Sequence, residues 1–336
     1  MKTKAIVFPT RNEVEVRELE LPEVGDDMIR TETLYSFVSP GTELRTLQGF
    51  YGADKNYPII PGYARIERVA EVGKAVKGYQ VGDILSSRAV CEFKGVTNYW
   101  GGEVGGSVYI PGDQVILSSD AAENPLKYAP CEVAAISYRG AVSAKAQKDD
   151  SALVIGLGMI GRFVAEFLRM AGCAVTVCDV NKERLSEAAE NGFSAVLLDN
   201  DAAERVAAHG MLGFDIVAEC SGTVPGFQLA VKMIRRPPTP NPMNNTREHW
   251  PRLLLQGNYV DDIPLNPCWF FRGEGVILLT PADRLLDDRQ KVADLIRQGK
   301  LDTTPYTKNV YPVDEMPAAY RKLQNREISS LIGKWF

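Results

Sequence analysis

Two hydrophobic rhythms divide the chain. Over the first 145 residues the apolar positions come in short alternating runs: KAIVF at 4–8, VEVRELELP at 14–22, ARIERVAEVG at 64–73 and GSVYIP at 106–111. Pro40-Gly41 and Pro61-Gly62 punctuate them, and KAVKGYQVGD at 74–83 reads as a turn followed by a Gly-Asp corner. A period of two between turn residues predicts half-buried strands, so this part reads as an irregular all-β domain.

Near residue 150 the rhythm changes. Ala152–Ile155 is an apolar run of strand length, Gly158–Gly172 has helical periodicity, and Ala174–Val180 is a second strand. Lys182–Asn191 reads as a helix stopped by Asn191-Gly192; Ser194–Leu198, Phe214–Cys220 and Arg252–Asn258 read as further strands. Strands alternating with short helices predict βαβ units and a parallel sheet. Beyond about residue 280, helices near Asp288–Gly299 and Val313–Asn325 precede a final apolar strand, Leu331–Phe336. Arg235–Trp250 (RRPPTPNPMNNTREHW) has four prolines and no period, so it reads as a polar surface excursion, with a lid or a subunit contact as the sharper alternative.

The 336 residues suit two domains, and 45% hydrophobic residues are ample for buried cores. A net charge of −5 gives no footing for nucleic acid or an anionic membrane surface. The apolar stretch in MKTKAIVF is too short for a signal sequence, and no run approaches the roughly 18 apolar residues of a membrane span. A soluble cytoplasmic protein is the expectation. The six cysteines, at 91, 131, 173, 178, 220 and 268, form no C-x-x-C and read as reduced, mostly buried thiols. Histidines are only His209, before Gly210 at an expected helix end, and His249, in the irregular loop; both read as structural.

The most informative motif is Gly156-Leu157-Gly158-Met159-Ile160-Gly161, which follows the strand LVI and opens a helix. Gly156 permits the tight turn, Gly158 lets backbone approach a pyrophosphate, Gly161 lets helix and strand pack closely, and the helix N-terminus faces the phosphate charge. The next strand ends at Asp179, 18 residues beyond Gly161. A carboxylate there accepts from the adenosine ribose and repels a 2′-phosphate, which favours NAD over NADP. Val180 and Asn181 follow it; Cys220, Ser221 and Gly222 end a later strand and should border the cofactor. Gln256, Gly257 and Asn258 end another and can place backbone groups near the nicotinamide.

A β-rich first part, a central Rossmann part and a C-terminal return resemble the medium-chain dehydrogenase/reductase superfamily over nearly the whole chain. Beyond the glycine motif, the resemblance rests on Tyr57-Pro-Ile-Ile-Pro61-Gly62, on Glu71-Val-Gly73, on Val81-Gly82-Asp83 and on Ser39-Pro-Gly-Thr-Glu-Leu-Arg45. It implies an α/β fold. A GroES-like catalytic domain spans 1–128 and is completed by 281–336; a Rossmann NAD-binding domain with a doubly wound parallel sheet spans 129–280. It further implies a homodimer or homotetramer and a small-molecule substrate.

The departures bear on chemistry. Zinc-dependent members carry Cys where this chain has Pro40 and His-Glu where it has Tyr63-Ala64; the third ligand position falls near Glu132. Pro cannot ligate a metal and Tyr is a poor zinc ligand, and the four-cysteine lobe is missing, with only Cys91 between 85 and 110. No metal is therefore expected. Among zinc-less members, the Ser-x-Gly-Thr-Glu and Pro-Gly-Tyr pair resembles the bacteriochlorophyllide a dehydrogenase group, which implies oxidation of a secondary alcohol to a ketone with NAD.

Without a metal, side chains must bind the substrate oxygen and move its proton. Thr42 stands where the family places the relay hydroxyl. Arg45 stands where a relay histidine often sits; it can stabilise an alkoxide or bind an anion, or form a surface ion pair. Tyr63 can hydrogen-bond the oxygen and, with a lowered pKa, act as acid and base, or simply fill the space the metal left. Glu132, in the apolar stretch Ala129–Ile136, suits a general base with a raised pKa, unless it pairs with an arginine such as Arg45. The family's use of the Glu43 position implies a structural ion pair. Three functions remain open: an NAD-dependent oxidoreductase for a secondary alcohol such as a cyclitol or sugar, a zinc-free NADPH-preferring quinone or enone reductase, and a non-catalytic NAD(H)-binding regulatory protein.

Overall fold

In the computed structural model the chain divides into two compact units, Met1–Ala135 with Leu285–Phe336, and Ile136–Arg284. The structure describes residues 1–88, 91–112, 114–199, 201, 206, 213–235, 250–260, 262–266, 276–281 and 285–336. His209, His249, Cys268 and the interior of the Arg235–Trp250 segment lie outside them.

In the first unit a mixed sheet runs Val310–Pro312, Leu331–Lys334, Ile29–Val38, Arg65–Val72, Ile84–Ser87, Val115–Ile116, with Gly106–Tyr109 also paired to Ile29–Val38. The ten-residue strand Ile29–Val38 is its axis, yet alternation does not reveal it, because Thr31, Thr33 and Ser36 are buried with their apolar neighbours. Their hydroxyls are satisfied inside: Thr31 donates to Glu67 at 2.7 Å and Thr33 to the Val104 carbonyl at 2.5 Å. Helix Met316–Gln324 buries Met316, Ala319, Tyr320 and Leu323, one helical stripe, among Ile6, Phe8, Val38, Leu47 and Leu331.

Pro40-Gly41 proves to open a helix, Pro40–Leu47, rather than to mark a plain turn. Proline suits the first helical position, where its missing N–H costs nothing. Cys131–Ser143 is also a helix, where the sequence showed only an apolar stretch. Its first residues, Cys131 to Ala135, are buried all round, so no polar face marks the period.

In the second unit six described strands form a parallel sheet in the order Ser194–Leu197, Ala174–Asp179, Ser151–Ile155, Ile216–Glu219, Arg252–Leu255, Ile277–Leu279. The chain order reverses on either side of Ser151–Ile155, which is where such sheets open a crevice at the carboxyl ends of their strands. Leu153, Ile155, Val217 and Leu253 of the sheet pack with Phe227, Ala230 and Val231 of helix Val224–Met233. The strands end one to three residues earlier than expected, at Asp179, Glu219 and Leu255, so Val180, Cys220 and Gln256–Asn258 lie on the loops beyond them. No described helix is long and apolar enough to cross a membrane.

Candidate active site

In the second unit the glycine loop is built by close approach. Gly156 takes φ 91°, and a Cβ there would stand 2.8 Å from the Ser221 backbone nitrogen. A Cβ on Gly161 would stand 1.8 Å from the Gly156 carbonyl oxygen. Gly158 differs: nothing lies within 4 Å of where its Cβ would be. Gly158 is also the N-cap of helix Met159–Met170, and no side chain caps that helix. Met159 and Ile160 therefore begin a twelve-residue helix that no side chain caps, and an anion such as a pyrophosphate suits the N–H groups of its first turn.

Asp179 is buried at the end of the adjacent strand. Its Oδ2 accepts from Leu157 N at 2.6 Å and from Arg184 at 3.5 Å, and its Oδ1 from Asn181 N at 2.8 Å, which ties the carboxylate to the glycine loop and leaves acceptor capacity on Oδ1 for a ribose hydroxyl. Val180 is exposed, Asn181 caps the helix Lys182–Glu190, and Arg184 stands 3.5 Å from Asp179.

Glu219 was not picked out from the sequence, yet it organises the opposite loop. Fully buried, it accepts from the backbone N–H and hydroxyl of Ser221, from Gly222 N at 3.1 Å and from the Tyr259 hydroxyl. Gly222 lies at φ 63°, and a Cβ there would be 2.4 Å from the Asn258 carbonyl oxygen. Gly222 and Gly257 thus let two loops touch backbone to backbone. Cys220 is half-buried, its thiol pushed up by loss of solvent. Gln256 turns its side chain toward helix Cys131–Ser143, reaching the Ile136 carbonyl at 3.4 Å.

In the first unit, Ser39 caps helix Pro40–Leu47 without using its hydroxyl. Glu43 instead reaches back, its Oε1 accepting from Ser39 N at 3.0 Å, the return half of a capping box. The expected ion pair at Glu43 is replaced by this backbone bond, and its Oε2 has no hydrogen-bond partner. The Ser39 hydroxyl is thereby left for Tyr63, whose phenol it bonds together with the Thr42 hydroxyl. Tyr63 is buried, and the loss of solvent, then the nearby Glu43, raise its pKa well above the ordinary phenol value. That corrects the expectation of a lowered pKa: Tyr63 is a neutral phenol, a hydrogen-bond partner and not a phenolate base. Gly62, at φ 85°, allows this placement, because a Cβ there would meet the Glu103 side chain at 2.9 Å.

Glu132 is buried and paired, but not to Arg45. Arg289 donates to its Oε1 at 3.3 Å and Ser86 at 3.1 Å. Burial nevertheless outweighs Arg289 and Arg88, and its pKa rises to about 7. Arg45 donates to the Tyr51 hydroxyl at 3.2 Å. Tyr51 and Tyr99 tilt against Trp100, at centroid distances of 6.1 and 4.9 Å, and Trp100 meets Tyr63 edge-on at 6.4 Å. Arg88, also not foreseen, places its guanidinium carbon 5.4 Å from the centre of the Tyr63 ring. A second buried carboxyl, Glu103, accepts from Ser36 at 2.9 Å and has its pKa raised by burial to about 7.

Donor chemistry speaks against zinc at the family's positions: Pro40 has no donor atom, Tyr63 is held protonated, and Glu132 is engaged by Arg289 and Ser86. Among the described residues no three His, Cys, Asp or Glu side chains are grouped to hold a metal. The glycine loop, in contrast, fits a dinucleotide.

A family model for zinc-binding dehydrogenases matches residues 159–237. The L-threonine 3-dehydrogenase of Proteus mirabilis (strain HI4320) is 24% identical over 342 residues, covering 95% of each chain. A Sinorhizobium meliloti 1021 dehydrogenase structure bound to NADP superposes with a TM-score of 0.81 at 17% identity, covering 99% of both chains. An alcohol dehydrogenase of Escherichia coli CFT073 complexed with NADH gives 0.81 at 16% identity, again over 99% of both. The α/β fold is that of the medium-chain alcohol dehydrogenases. Together these comparisons make the chain similar over nearly its whole length to threonine and alcohol dehydrogenases, whose fold it shares.

Proposed function

We propose that the protein is an NAD-dependent oxidoreductase that interconverts a secondary alcohol and its ketone without a catalytic metal. The observation that carries this reading is Tyr63: a buried neutral phenol, bonded by Ser39 and Thr42, at the position where zinc-dependent relatives carry a histidine ligand. The Ser39-x-Gly-Thr-Glu and Pro61-Gly-Tyr pair supports a place among the zinc-less members, near the bacteriochlorophyllide a dehydrogenase group.

The cofactor is held in this reading by the Gly156–Gly161 loop, by Asp179 on the adenosine ribose, and by the Ser221-Gly222 and Gly257-Asn258 backbones. Asp179, its carboxylate aligned by two backbone amides, favours NAD over NADP. When bound, NAD supplies the acceptor for the hydrogen and electron pair leaving the alcohol carbon. Tyr63 donates a hydrogen bond to the substrate oxygen, Thr42 and Ser39 orient Tyr63, and Glu132 receives the hydroxyl proton. A carboxyl with a pKa of about 7 exists in both forms near neutrality, which suits a group that must take and return a proton.

The test combines three measurements on the purified chain: fluorescence titration with NADH and NADPH, turnover of secondary alcohols, cyclitols and enones, and elemental analysis for zinc. Tighter NADH binding with alcohol turnover in metal-free protein is expected. NADPH-only binding with enone reduction would replace this reading by the enone reductase. Cofactor binding without turnover of any substrate would make the chain a regulatory protein. Stoichiometric zinc whose removal abolishes turnover would refute the metal-free mechanism.

A further inference from the structure

The fold family uses a divalent cation to draw electron density from the alcohol oxygen, and the donors at those positions do not suit one. The charge has a different source close by. Arg88 follows the fully buried strand Ile84–Ser87 and is itself half-buried. Its guanidinium stands over the Tyr63 ring at 5.4 Å, and its positive charge acts on both the Tyr63 phenol and the Glu132 carboxyl. A guanidinium against an aromatic face presents its N–H donors in a fixed, planar fork. Arg289 also bonds Glu132, at 3.3 Å, so neutralising that carboxylate does not rest on Arg88 alone.

We propose that Arg88 is a catalytic residue that takes over the metal's electrostatic role, donating N–H hydrogen bonds to the substrate's alcohol oxygen beside Tyr63. The inference rests on the oxidoreductase reading and deepens it. In the balanced step the C–H bond breaks with its electron pair passing to the oxidised nicotinamide, and the O–H proton passes to Glu132. The C–O bond becomes C=O, and Arg88 stabilises the negative charge that the oxygen carries on the way. Preorganised donors aimed at such an oxygen are worth roughly a hundred- to a thousand-fold in rate.

The experiment compares wild type with R88M and R88K, using the best alcohol of the screen, with NADH affinity measured by fluorescence and folding by thermal melting. R88M should lose a hundred-fold or more in kcat/KM while NADH affinity and melting temperature stay unchanged. Added guanidinium ion should restore at least ten-fold of that loss in R88M, and methylammonium should restore less. R88K should be intermediate, and it serves as the reporter if R88M melts early. Should R88M keep its rate within three-fold, or should guanidinium rescue neither variant, Arg88 has no such role, although the oxidoreductase reading stands. A wild type that binds NADH and turns over no alcohol would overturn that reading and this inference with it.

Discussion

Buried carboxylates occur in both units, and some of those in the first, unlike Asp179 and Glu219 in the second, are short of donors. In the second unit Asp179 and Glu219 are each bonded by several donors from the loops around them: Leu157 and Asn181 on the first, Ser221, Gly222 and Tyr259 on the second. In the first unit Glu43 Oε2 and Glu103 Oε1 have no hydrogen-bond partner, and the hydroxyl of the fully buried Tyr320 is likewise unpartnered beside them. Burial raises the pKa of Glu43, Glu103 and Glu132 alike. A carboxylate tied by several amides acts as a girder between loops; one buried short of donors, such as Glu43 or Glu103, is pushed toward holding a proton. In the proposed reading the second unit receives a ligand of fixed shape and the first handles protons.

If that contrast is right, the greatest damage comes from the girders. Gly161→Val puts carbon where the Gly156 carbonyl oxygen stands, and NADH affinity measured by fluorescence should fall more than a hundred-fold. Next in size, Tyr63→Phe removes the hydrogen bond to the substrate oxygen; kcat should fall ten- to a hundred-fold with NADH affinity unchanged. Asp179→Ser removes the anion that repels a 2′-phosphate. The ratio of NADH to NADPH affinity should drop about ten-fold, and both should weaken somewhat because Leu157 N loses its acceptor.

The smaller effects concern protons. Glu132 accepts a proton only when ionised, so alcohol oxidation should rise with pH through about 7 and then level off; Glu132→Gln should remove that limb. Glu103 should show itself in stability rather than in rate. Its folded pKa of about 7 exceeds the ordinary 4.5, so between those values the folded state binds the additional proton. Stability therefore declines as pH rises through that window, by at most about 3 kcal/mol for this group. Denaturant melts at pH 5 and pH 8 should differ less in Glu103→Gln than in wild type.

The two units were also unequally legible in the sequence. The Rossmann strands, the glycine loop and Asp179 could be read in advance because backbone geometry demands particular residues at particular spacings, and all of them fall within a short stretch of chain. Glu219 escaped because a buried acid at a strand end carries no spacing signal; only its contacts with Ser221 and Tyr259 reveal it. In the first unit Thr42, Tyr63 and Glu132 were named through family resemblance. Arg88 was not, because nothing local ties residue 88 to residues 63 and 132; strand pairing of Arg65–Val72 with Ile84–Ser87 brings them together. The helix at Pro40 was read as a turn because proline punctuates both. Burial reversed the expected pKa shift of Tyr63, since desolvation outweighs the two hydroxyls that bond it.

The strand Leu331–Lys334 lies between Val310–Pro312 and the long axial strand Ile29–Val38, and in register it pairs Leu331 with Val38 and Lys334 with Tyr35. A growing polypeptide delivers residues 136–284 to the solvent as one uninterrupted stretch, able to condense while translation continues. The flanking portion has to wait: its N-terminal strands emerge first, and Ile29–Val38 stands with an open edge until Leu331–Lys334 has been made. On the ribosome, the unit that carries the glycine loop is therefore free to mature before the unit that carries Tyr63.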